Sequence, residues 1–446
     1  MEKYKKYKNS GIDWLGEIPE HWKTNRIDWV NKIVRGNTAF KKDELLNKGE
    51  YVALQYGKTY KVDEVNNTFK YFVNNEFYKK SQIVNCGDII LISTSETLED
   101  LGHSCFYNRN DLGLLGGEQI LLKSNDKIIN DKFQYYYSKF FCVELKKYAT
   151  GLKVFRFNID DLKNIFILIP KLKEQTEIAN YLDAKTQTID KKVKLLSEKI
   201  STYKDYRKTL INQTVTKGLD KNVKLKNSGI NWIGEIPKHW EVKRLKSLGN
   251  ISTSSVNKKI EEDEKLVYLV NYTDVFGNLN KEIWNDLNYM KVSAKSNQII
   301  QKNLKKGDVL FTPSSETVED IGVSSVVMED LKNTLYSYHI LRLRFSQKIY
   351  DNFKKYIFNN DFVQYYFSKS AKGTTRKILG LNDFNNLQIV LPNSLKEQQA
   401  IANYLDVKTQ TIDTIIKNIE KQITTLKELR KTLINEVVTG NVKITE

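Results

Sequence analysis

The chain repeats itself, and this duplication constrains its fold more than any other feature of the sequence. The segment from Lys8 to Trp22, which contains WLGEIPEHW, returns from Lys226 to Trp240 with WIGEIPKHW. Further along, Lys173–Asp190 returns as Lys396–Asp413. The offset between the copies changes only from 218 to 223 residues across the chain of 446 residues. The sequence is therefore a tandem duplication of a unit of about 220 residues.

Each copy ends in a long helical segment. A strand-like run and a proline, Pro170 or Pro392, precede a polar stretch in which apolar residues recur every seven residues. Over about four heptads this spacing predicts a coiled coil. Gly218 and Gly440 follow as helix breakers. The predicted seam residues are Leu182, Ile189, Val193, Leu196 and Ile200 in the first copy and Leu405, Ile412, Ile416, Ile419, Ile423 and Leu426 in the second.

A charged residue on the seam predicts how the two helices pair. Arg207 and Arg430 occupy the same position in the two copies. Parallel pairing in register would bring these two like charges together in a half-buried seam, which is unfavourable. We therefore expect antiparallel helices, with the two variable domains at opposite ends and related by a pseudo-two-fold axis.

The variable domains combine short β-type runs with one aromatic, helix-like stretch, so we expect an α+β fold. The strand-like runs are Tyr51–Gln55, Ile89–Ser93, Gly117–Lys123, Leu266–Val270, Val309–Thr312 and Tyr338–Arg344, and the helix-like stretches are Phe133–Phe141 and Phe353–Ser368. The predicted domains are residues 1–170 and 219–393, and the predicted helices are residues 171–218 and 394–446.

The charge balance favours a polyanionic partner. There are 71 Lys and Arg residues against 54 Asp and Glu, a net charge of +17. Only ten of the basic residues are Arg, as codon bias in a genome rich in A·T would produce, but such bias does not explain the basic excess. Nucleic acid fits this charge better than a membrane surface, because no basic amphipathic anchor is visible.

The same sequence predicts a cytoplasmic protein with no membrane contact. The basic N-terminus is not followed by the apolar run of a signal peptide, and no apolar stretch is long enough to span a bilayer. The three cysteines, Cys86, Cys105 and Cys142, show no CxxC spacing, which fits a reducing compartment.

Catalytic signatures are scarce. The sequence contains no phosphate-binding loop and no glycine-rich dinucleotide fingerprint, and its four histidines do not cluster with acids or cysteines at metal-ligand spacing. His21 and His239, in the Pro-x-His-Trp element, are expected to pack structurally. We therefore predict no catalytic residue and no metal ligand.

A repeated acidic stretch remains ambiguous. Its carboxylates are Glu96, Glu99 and Asp100 in the first copy and Glu316, Glu319 and Asp320 in the second. Grouped carboxylates can bind Mg²⁺ for phosphodiester cleavage. They can equally form a solvated turn before Gly102 and Gly322, or accept a hydrogen bond from N4 of cytosine.

Polar and basic residues gather in the predicted turns of the variable domains, as a DNA interface requires. Lys and Arg suit phosphates, whereas Asn, Gln, Ser and Arg suit base edges. The candidate DNA-binding residues are Arg35, Asn37, Gln55, Tyr56, Lys58, Ser93, Ser95, Lys153 and Arg156 in the first copy and Asn271, Tyr272, Thr273, Ser314, Ser315, Lys372, Thr374, Thr375, Arg376 and Lys377 in the second. The copies diverge strongly between their repeated anchors, as two modules that read different sequences would.

Over its whole length the chain resembles the specificity subunits of type I restriction-modification systems. The resemblance is carried by the WLGEIPEHW element, by the run from Pro170 through Glu174-Gln175 to Tyr181-Leu182-Asp183, by the copies of both, and by Arg430–Asn435. The motif that joins a proline to EQxxIAxYLD at the head of a coiled-coil helix, found twice, is highly specific.

The resemblance implies two target recognition domains, each reading one half of a split, asymmetric double-stranded DNA sequence, and helices that fix the gap between the half-sites. It also implies two modification subunits, adenine-N6 methyltransferases that use S-adenosylmethionine. Restriction subunits with ATP-driven translocase and Mg²⁺-dependent nuclease activity would complete the assembly. The target adenine must leave the base stack, and that chemistry would belong to the partners, so this chain needs no cofactor.

Three hypotheses follow. The first is a non-catalytic, DNA-reading specificity subunit. The second is a self-contained Mg²⁺-dependent nuclease that uses the repeated carboxylates. The third is a coiled-coil interaction scaffold that does not bind DNA and whose charge reflects codon bias alone.

Overall fold

The computed structural model describes residues 2–286 and 288–444. The chain forms two compact units. The first contains the residues up to Ser197 together with those from Lys421 onward, and the second is Glu198–Glu420. Each unit therefore combines one variable domain with part of both long helices.

The variable domain of the first unit contains two mixed sheets. The five-stranded sheet has the spatial order Asn31–Arg35, Gln119–Ser124, Ile89–Ile92, Ser104–Tyr107 and Glu64–Val65. The four-stranded sheet has the order Phe72–Val73, Tyr51–Leu54, Gly113–Leu115 and Ile83–Val84. In each sheet one neighbouring pair is parallel and the others are antiparallel.

The second unit repeats this topology strand for strand. Its five-stranded sheet has the order Gly249–Thr253, Leu341–Phe345, Val309–Phe311, Ser324–Val327 and Glu282–Ile283. Its four-stranded sheet has the order Met290–Ala294, Lys265–Val270, Leu331–Tyr336 and Asn303–Leu304. The duplication predicted from the sequence and the α+β fold are therefore confirmed.

Smaller elements frame the sheets in both units. The two-stranded pairs are Tyr7–Asn9 with Glu17–Pro19, Lys23–Arg26 with Phe166–Ile169 and Thr94–Ser95 with Phe155–Arg156, and in the second unit Leu225–Asn227 with Glu235–Pro237, Glu241–Arg244 with Gln388–Leu391 and Ser314–Ser315 with Lys377–Ile378. The shorter α-helices are Ile27–Val30, Tyr56–Thr59, Asp131–Leu145 and Ile159–Lys163, then Tyr272–Phe276, Ser296–Gln301, Asp351–Phe358, Asp361–Ser370 and Leu381–Asn386.

Two predictions inside the second domain were wrong. The stretch Phe353–Ser368 is not one helix, because Asn360 caps a new one: its Oδ1 accepts hydrogen bonds from the backbone N of Phe362 and Val363, both at 3.0 Å. The run Tyr338–Arg344 begins with a turn, in which Ile340 N donates to Ser337 O at 3.0 Å, so the strand starts only at Leu341.

The two long helices are Leu172–Lys217, of 46 residues, and Leu395–Val438, of 44 residues. The seam follows the predicted heptads. Leu182, Leu405, Ile412, Ile416 and Ile419 are buried, and the remaining predicted seam residues, Ile189, Val193, Leu196, Ile200, Ile423 and Leu426, are half-buried between exposed neighbours. Beyond each helix the predicted glycine takes a left-handed conformation, with φ of +73° at Gly218 and +75° at Gly440.

The antiparallel pairing of the helices is confirmed by the seam arginines. In the second unit Arg207 Nε lies 3.1 Å from Asp413 Oδ1. In the first unit Arg430 Nε lies 3.0 Å from Asp190 Oδ1. The beginning of each helix thus pairs with the end of the other, so each arginine faces an aspartate instead of its own counterpart.

One apolar core runs from the domain into the helices in each unit. In the first unit the fully buried Trp22 and Phe133 share a core with Leu182 of the first long helix and Val437 of the second. An equivalent core surrounds Trp240 in the second unit. Because burial of apolar area is the main stabilising contribution, each domain is anchored to its helices through this core.

Candidate nucleic-acid interface

The repeated sequence motifs hold each domain to its helices. Glu174, at the start of the first long helix, accepts hydrogen bonds from Trp22 Nε1 at 3.1 Å and Tyr4 Oη at 2.8 Å, and its Oε2 lies 2.9 Å from His21 Nε2. Glu397 makes the equivalent contacts with His239 and Trp240 at 3.0 Å. The histidines therefore have the structural surroundings expected of them.

The next motif residues satisfy backbone groups. Gln175 Oε1 accepts from Asn130 N at 2.7 Å, and its Nε2 donates to Pro170 O at 2.8 Å. Gln398 accepts from Tyr350 N and donates to Pro392 O, both at 2.9 Å. Both glutamine side chains are buried. They bond backbone N–H and C=O groups around the proline, which would otherwise be buried without a partner.

The aspartate that closes the motif also has a fixed partner. Asp183 Oδ1 accepts from Tyr136 Oη at 2.6 Å, and Asp406 Oδ1 accepts from Tyr356 Oη at 2.7 Å. The repeated residues thus hold the domain and the helices together, and the candidate DNA-binding residues lie in the divergent loops.

Those divergent loops meet in a small strand pair. In the first unit Thr94–Ser95 pairs antiparallel with Phe155–Arg156, which places residues 151–156 beside the acidic stretch. We call residues 151–156 the first hairpin. Gly151 has φ +114°, and a Cβ there would lie 2.0 Å from Val154 O, so only glycine forms this turn. The hairpin is exposed along Leu152–Val154, and the Leu152 side chain is 99% exposed.

The second unit has the same arrangement. Ser314–Ser315 pairs with Lys377–Ile378, and Gly373 has φ +104° in the equivalent turn. We call residues 373–378 the second hairpin. Arg376 Nε donates to Ser314 Oγ at 3.2 Å, which directs the guanidinium along the loop.

A short aromatic helix joins each hairpin. Tyr56 lies beside Ser95 and stacks on Tyr60 at 5.6 Å between ring centroids. Tyr272 lies beside Ser315 and stacks on Phe276 at 5.3 Å. Burial raises the pKa of both tyrosines above the usual value of a phenol.

The structure therefore brings many predicted residues together. Tyr56, Ser95, Lys153 and Arg156 share the first cluster, and Tyr272, Ser314, Ser315, Arg376 and Lys377 share the second. Lys372, Thr374 and Thr375 are exposed on the second hairpin or next to it, and Thr273 is exposed on the short helix.

Four predicted contact residues are buried. Ser93, Ser95, Ser315 and Asn271 are each less than 9% exposed. Their side chains are therefore withdrawn as direct DNA contacts, because a groove cannot reach them. Ser95 Oγ instead accepts from Thr97 N at 3.2 Å, and Ser315 Oγ accepts from Thr317 N at 3.3 Å. Asn271 begins the short helix, and its backbone N donates to Asp274 Oδ2 at 2.7 Å.

The remaining candidates have other partners. Gln55 Nε2 donates to Phe40 O at 2.8 Å, and Lys58 Nζ lies 4.6 Å from the centre of the Tyr71 ring. Asn37 accepts from Lys79 Nζ at 3.3 Å, and Arg35 is exposed on an outer strand of the five-stranded sheet.

The acidic stretch closes on itself in both units. Thr97 Oγ1 donates to Asp100 Oδ2 at 2.8 Å, and Thr317 Oγ1 donates to Asp320 Oδ2 at 3.0 Å. Across residues 2–286 and 288–444, no group of three or more His, Cys, Asp and Glu side chains is placed to hold a metal ion. Among the same residues no helix has the length and apolarity to cross a membrane.

Two related modules of α+β fold, each presenting a glycine-turned hairpin of polar and basic residues, define a two-module DNA-recognition protein. The chain belongs to the family of type I restriction modification DNA specificity domains, whose model matches residues 19–199 and 237–425. The comparisons thus support the specificity-subunit hypothesis and not the nuclease or the interaction scaffold.

Similar proteins align with this chain along almost their entire length. The type I restriction enzyme MjaVIII specificity subunit of Methanocaldococcus jannaschii is 26% identical, over 96% of this chain and 94% of the relative. The EcoKI specificity subunit of Escherichia coli K12 is 22% identical, over 95% and 90%.

Solved structures show the same fold. One chain, from a study of complex assembly and conformational transition of the type I R-M system, superposes with a TM-score of 0.70 at 16% identity, covering 95% of this chain and 99% of the other. The HsdS subunit from Thermoanaerobacter tengcongensis superposes with a TM-score of 0.52 at 16% identity, covering 95% and 98%.

Proposed function

We propose that this chain recognises a bipartite, asymmetric sequence in double-stranded DNA, one half with each recognition domain, and directs adenine-N6 methylation or restriction by partner subunits. One observation carries the proposal. The two units hold the same hairpin on the same backbone framework but present different side chains at equivalent positions.

The substitutions between the hairpins change hydrogen-bonding chemistry. By the strand registers, Arg156 of the first hairpin corresponds to Ile378 of the second, and Val154 corresponds to Arg376. An arginine reads guanine O6 and N7, whereas an aliphatic side chain can only contact a thymine methyl. Moving the arginine by two positions therefore favours a different half-site for each domain.

Phosphate contacts supply the affinity. Lys153 and Lys372 are exposed beside the hairpins, and the chain carries a net charge of +17. Neutralisation of phosphates by such residues releases counterions, so binding weakens as salt rises. Base contacts from the hairpins then select the sequence.

The chemistry belongs to the partners in this proposal. Two methyltransferase (modification) subunits use S-adenosylmethionine, and restriction/translocase subunits use ATP and Mg²⁺. The chain itself is a non-catalytic, cytoplasmic subunit that needs no cofactor, and its task is to position DNA for enzymes that extrude the target adenine.

An exchange of one domain tests the recognition model. Replacing the residues up to about 160 with those of another family member should change one half-site and leave the other half-site and the spacer intact, because each domain reads independently. Methylome sequencing of the host with the wild-type and the exchanged gene measures this. A change in both half-sites would contradict the model.

The absence of catalysis has its own test. The purified chain with Mg²⁺ should leave duplex DNA uncut, and the double variant Glu96→Ala with Glu316→Ala should still support methylation by the partner subunits. Cutting by the chain alone that disappears in this variant would establish the nuclease instead.

A further inference from the structure

The two units differ in charge at one equivalent position beside the helices. Asp63 precedes the strand Glu64–Val65, and Lys281 precedes the strand Glu282–Ile283. Both accept the same backbone hydrogen bond, from Phe106 N to Asp63 O at 3.0 Å and from Val326 N to Lys281 O at 2.9 Å. The positions are therefore structurally equivalent, and an acid in one copy is a base in the other.

In the first unit the aspartate closes a charge network. Asp63 Oδ2 lies 3.3 Å from Arg430 Nη2, and its Oδ1 lies 2.6 Å from Lys139 Nζ. Arg430 also pairs with Asp190. Two cations thus share two carboxylates, and the domain is bound to the helix by an ion pair. Burial raises the pKa of Asp63, but Lys139 and Arg430 outweigh this and lower it to about 2.

The second unit is one carboxylate short at the equivalent place. Arg207 keeps its pair with Asp413, but Lys281 replaces the second acid. Lys281 forms no ion pair with any side chain in the described ranges 2–286 and 288–444. Burial lowers the pKa of Lys281, repulsion by Arg207 lowers it further, and attraction by Asp320 raises it. Lys281 therefore lies in the field of a carboxylate but forms no ion pair with it.

An open cleft surrounds the two cations. Its volume is about 580 Å³, and Arg207, Lys281 and Leu279 contribute to its lining. Leu279 is 91% exposed, whereas the first unit has Lys61 at the equivalent place, two residues before Asp63. The cleft therefore offers positive charge beside an apolar side chain.

The rest of the lining favours a protein over DNA. Glu282, Asp406 and Asp413 also face the cleft, together with Lys355 and Lys417, so the lining mixes both signs of charge and is not the continuous positive surface that suits a polyanion. Lys355 already neutralises two of these carboxylates, at 2.8 Å from Glu282 Oε1 and 2.6 Å from Asp406 Oδ1. A single carboxylate with an apolar neighbour fits this mixed surface, and Asp63 in the first unit shows that a carboxylate is the favoured occupant.

We propose that the cleft formed by Arg207, Leu279 and Lys281 binds an acidic side chain of a methyltransferase (modification) subunit, next to an apolar residue of the same subunit. This inference rests on the proposed function, which supplies the partner. It makes the two halves of the chain unequal, because the first half supplies both carboxylates beside its arginine, whereas the second supplies one and takes the other from its partner.

Substitutions that copy the first unit into the second provide the test. Lys281→Asp should place a carboxylate of this chain beside Arg207 and so exclude the carboxylate of the modification subunit. Leu279→Lys should remove the apolar contact with that subunit. Each should weaken the binding of one of two modification subunits about tenfold, measured by mass photometry of the full chain titrated with purified modification subunit. Lys332→Asp, an equal charge change at an exposed strand residue of the same unit, should leave binding unchanged.

The outcomes separate the alternatives. The midpoint temperature of thermal unfolding of Lys281→Asp should be no lower than that of the wild type, because the first unit folds with an aspartate at the equivalent position. Unchanged binding of the modification subunit by Lys281→Asp would overturn the inference. The inference would also fail if Lys281→Asp reduced the slope of log K against log salt for DNA binding by about 0.9, because that change would identify a DNA phosphate as the occupant of the cleft. If the wild type binds no modification subunit, the proposed function itself fails.

Discussion

Single residues explain why the repeated motifs are so specific. Glu174 is the partner of three side chains from the N-terminal segment, and its carboxylate is only 19% exposed. Trp22 is fully buried, so its indole N–H needs an acceptor there. A side chain too short to reach the indole, or one without an acceptor oxygen, would leave that donor without a partner, which is unfavourable in an apolar core.

Removal of this carboxylate gives the first prediction. Glu174→Ala should lower the free energy of unfolding of the first unit by about 2–3 kcal/mol, because a charge-assisted hydrogen bond is lost and a buried donor is left unpaired. The control is Glu177→Ala, whose carboxylate lies 3.9 Å from exposed Lys173 and should cost less than about 0.5 kcal/mol. Urea unfolding followed by tryptophan fluorescence measures both, and equal effects would refute the assignment.

Asp63 gives a prediction about pH. Its pKa is about 2 in the folded chain, below the value of about 3.9 for an unfolded aspartate. Because its pKa is lower in the folded state, the Asp63 carboxylate contributes stability that is fully present above about pH 4 and is lost as the pH falls toward 2. Because the side chain is 46% exposed, we expect Asp63→Asn to be about 1 kcal/mol less stable at pH 7.

The measurement compares wild type and variant across pH. Urea unfolding between pH 7 and pH 3 should show a constant difference in stability down to about pH 4 and a narrowing difference below it. A difference that stays constant to pH 3 would mean that Asp63 acts by packing or by neutral hydrogen bonds and not by its charge.

At the scale of elements, periodic patterns were predicted well and long-range pairings were not. The heptads of the long helices and the strand-like runs are local signals, and the structure confirms the helices and most of the strands. The pairing of Thr94–Ser95 with Phe155–Arg156 joins segments about 60 residues apart, and no local pattern indicates it. For the same reason the burial of Ser93 and Ser95 could not be foreseen.

The break between the two aromatic helices of the second domain is different, because it had a sequence signal. Asn360 followed by Asp361 is a typical helix start, with a capping amide and an acid in the first turn. The aromatic residues on both sides concealed it, since together they continue one apolar stretch.

The hairpins are the elements on which DNA affinity is expected to depend. Lys153→Gln should reduce the slope of log K against log salt by about 0.9, the value for one lost phosphate contact on duplex DNA. Lys163→Gln is the control, because its Nζ is already paired with Asp160 at 3.0 Å. Fluorescence anisotropy at several salt concentrations, with modification subunits present, measures both slopes, and an unchanged slope for Lys153→Gln would remove this residue from the interface.

At the scale of the whole molecule, the duplication predicts that half-site identity and half-site spacing are separate properties. We expect half-site identity to depend on the divergent hairpins and half-site spacing to depend on the long helices, whose seam residues are alike in both copies. A change confined to a helix should therefore alter the spacer and leave both half-sites unchanged.

Inserting four residues after Leu196 tests this separation. Four residues add about one helical turn, or about 6 Å, to one helix, and four is close to the seam spacing, so the heptad pairing can be restored. At 3.4 Å per base pair we expect a spacer longer by about one or two base pairs. Methylome sequencing of a host that carries the variant gene reads the spacer and the half-sites together. Altered half-site bases with an unchanged spacer would contradict the assignment of spacing to the helices, because the hairpins are untouched by the insertion.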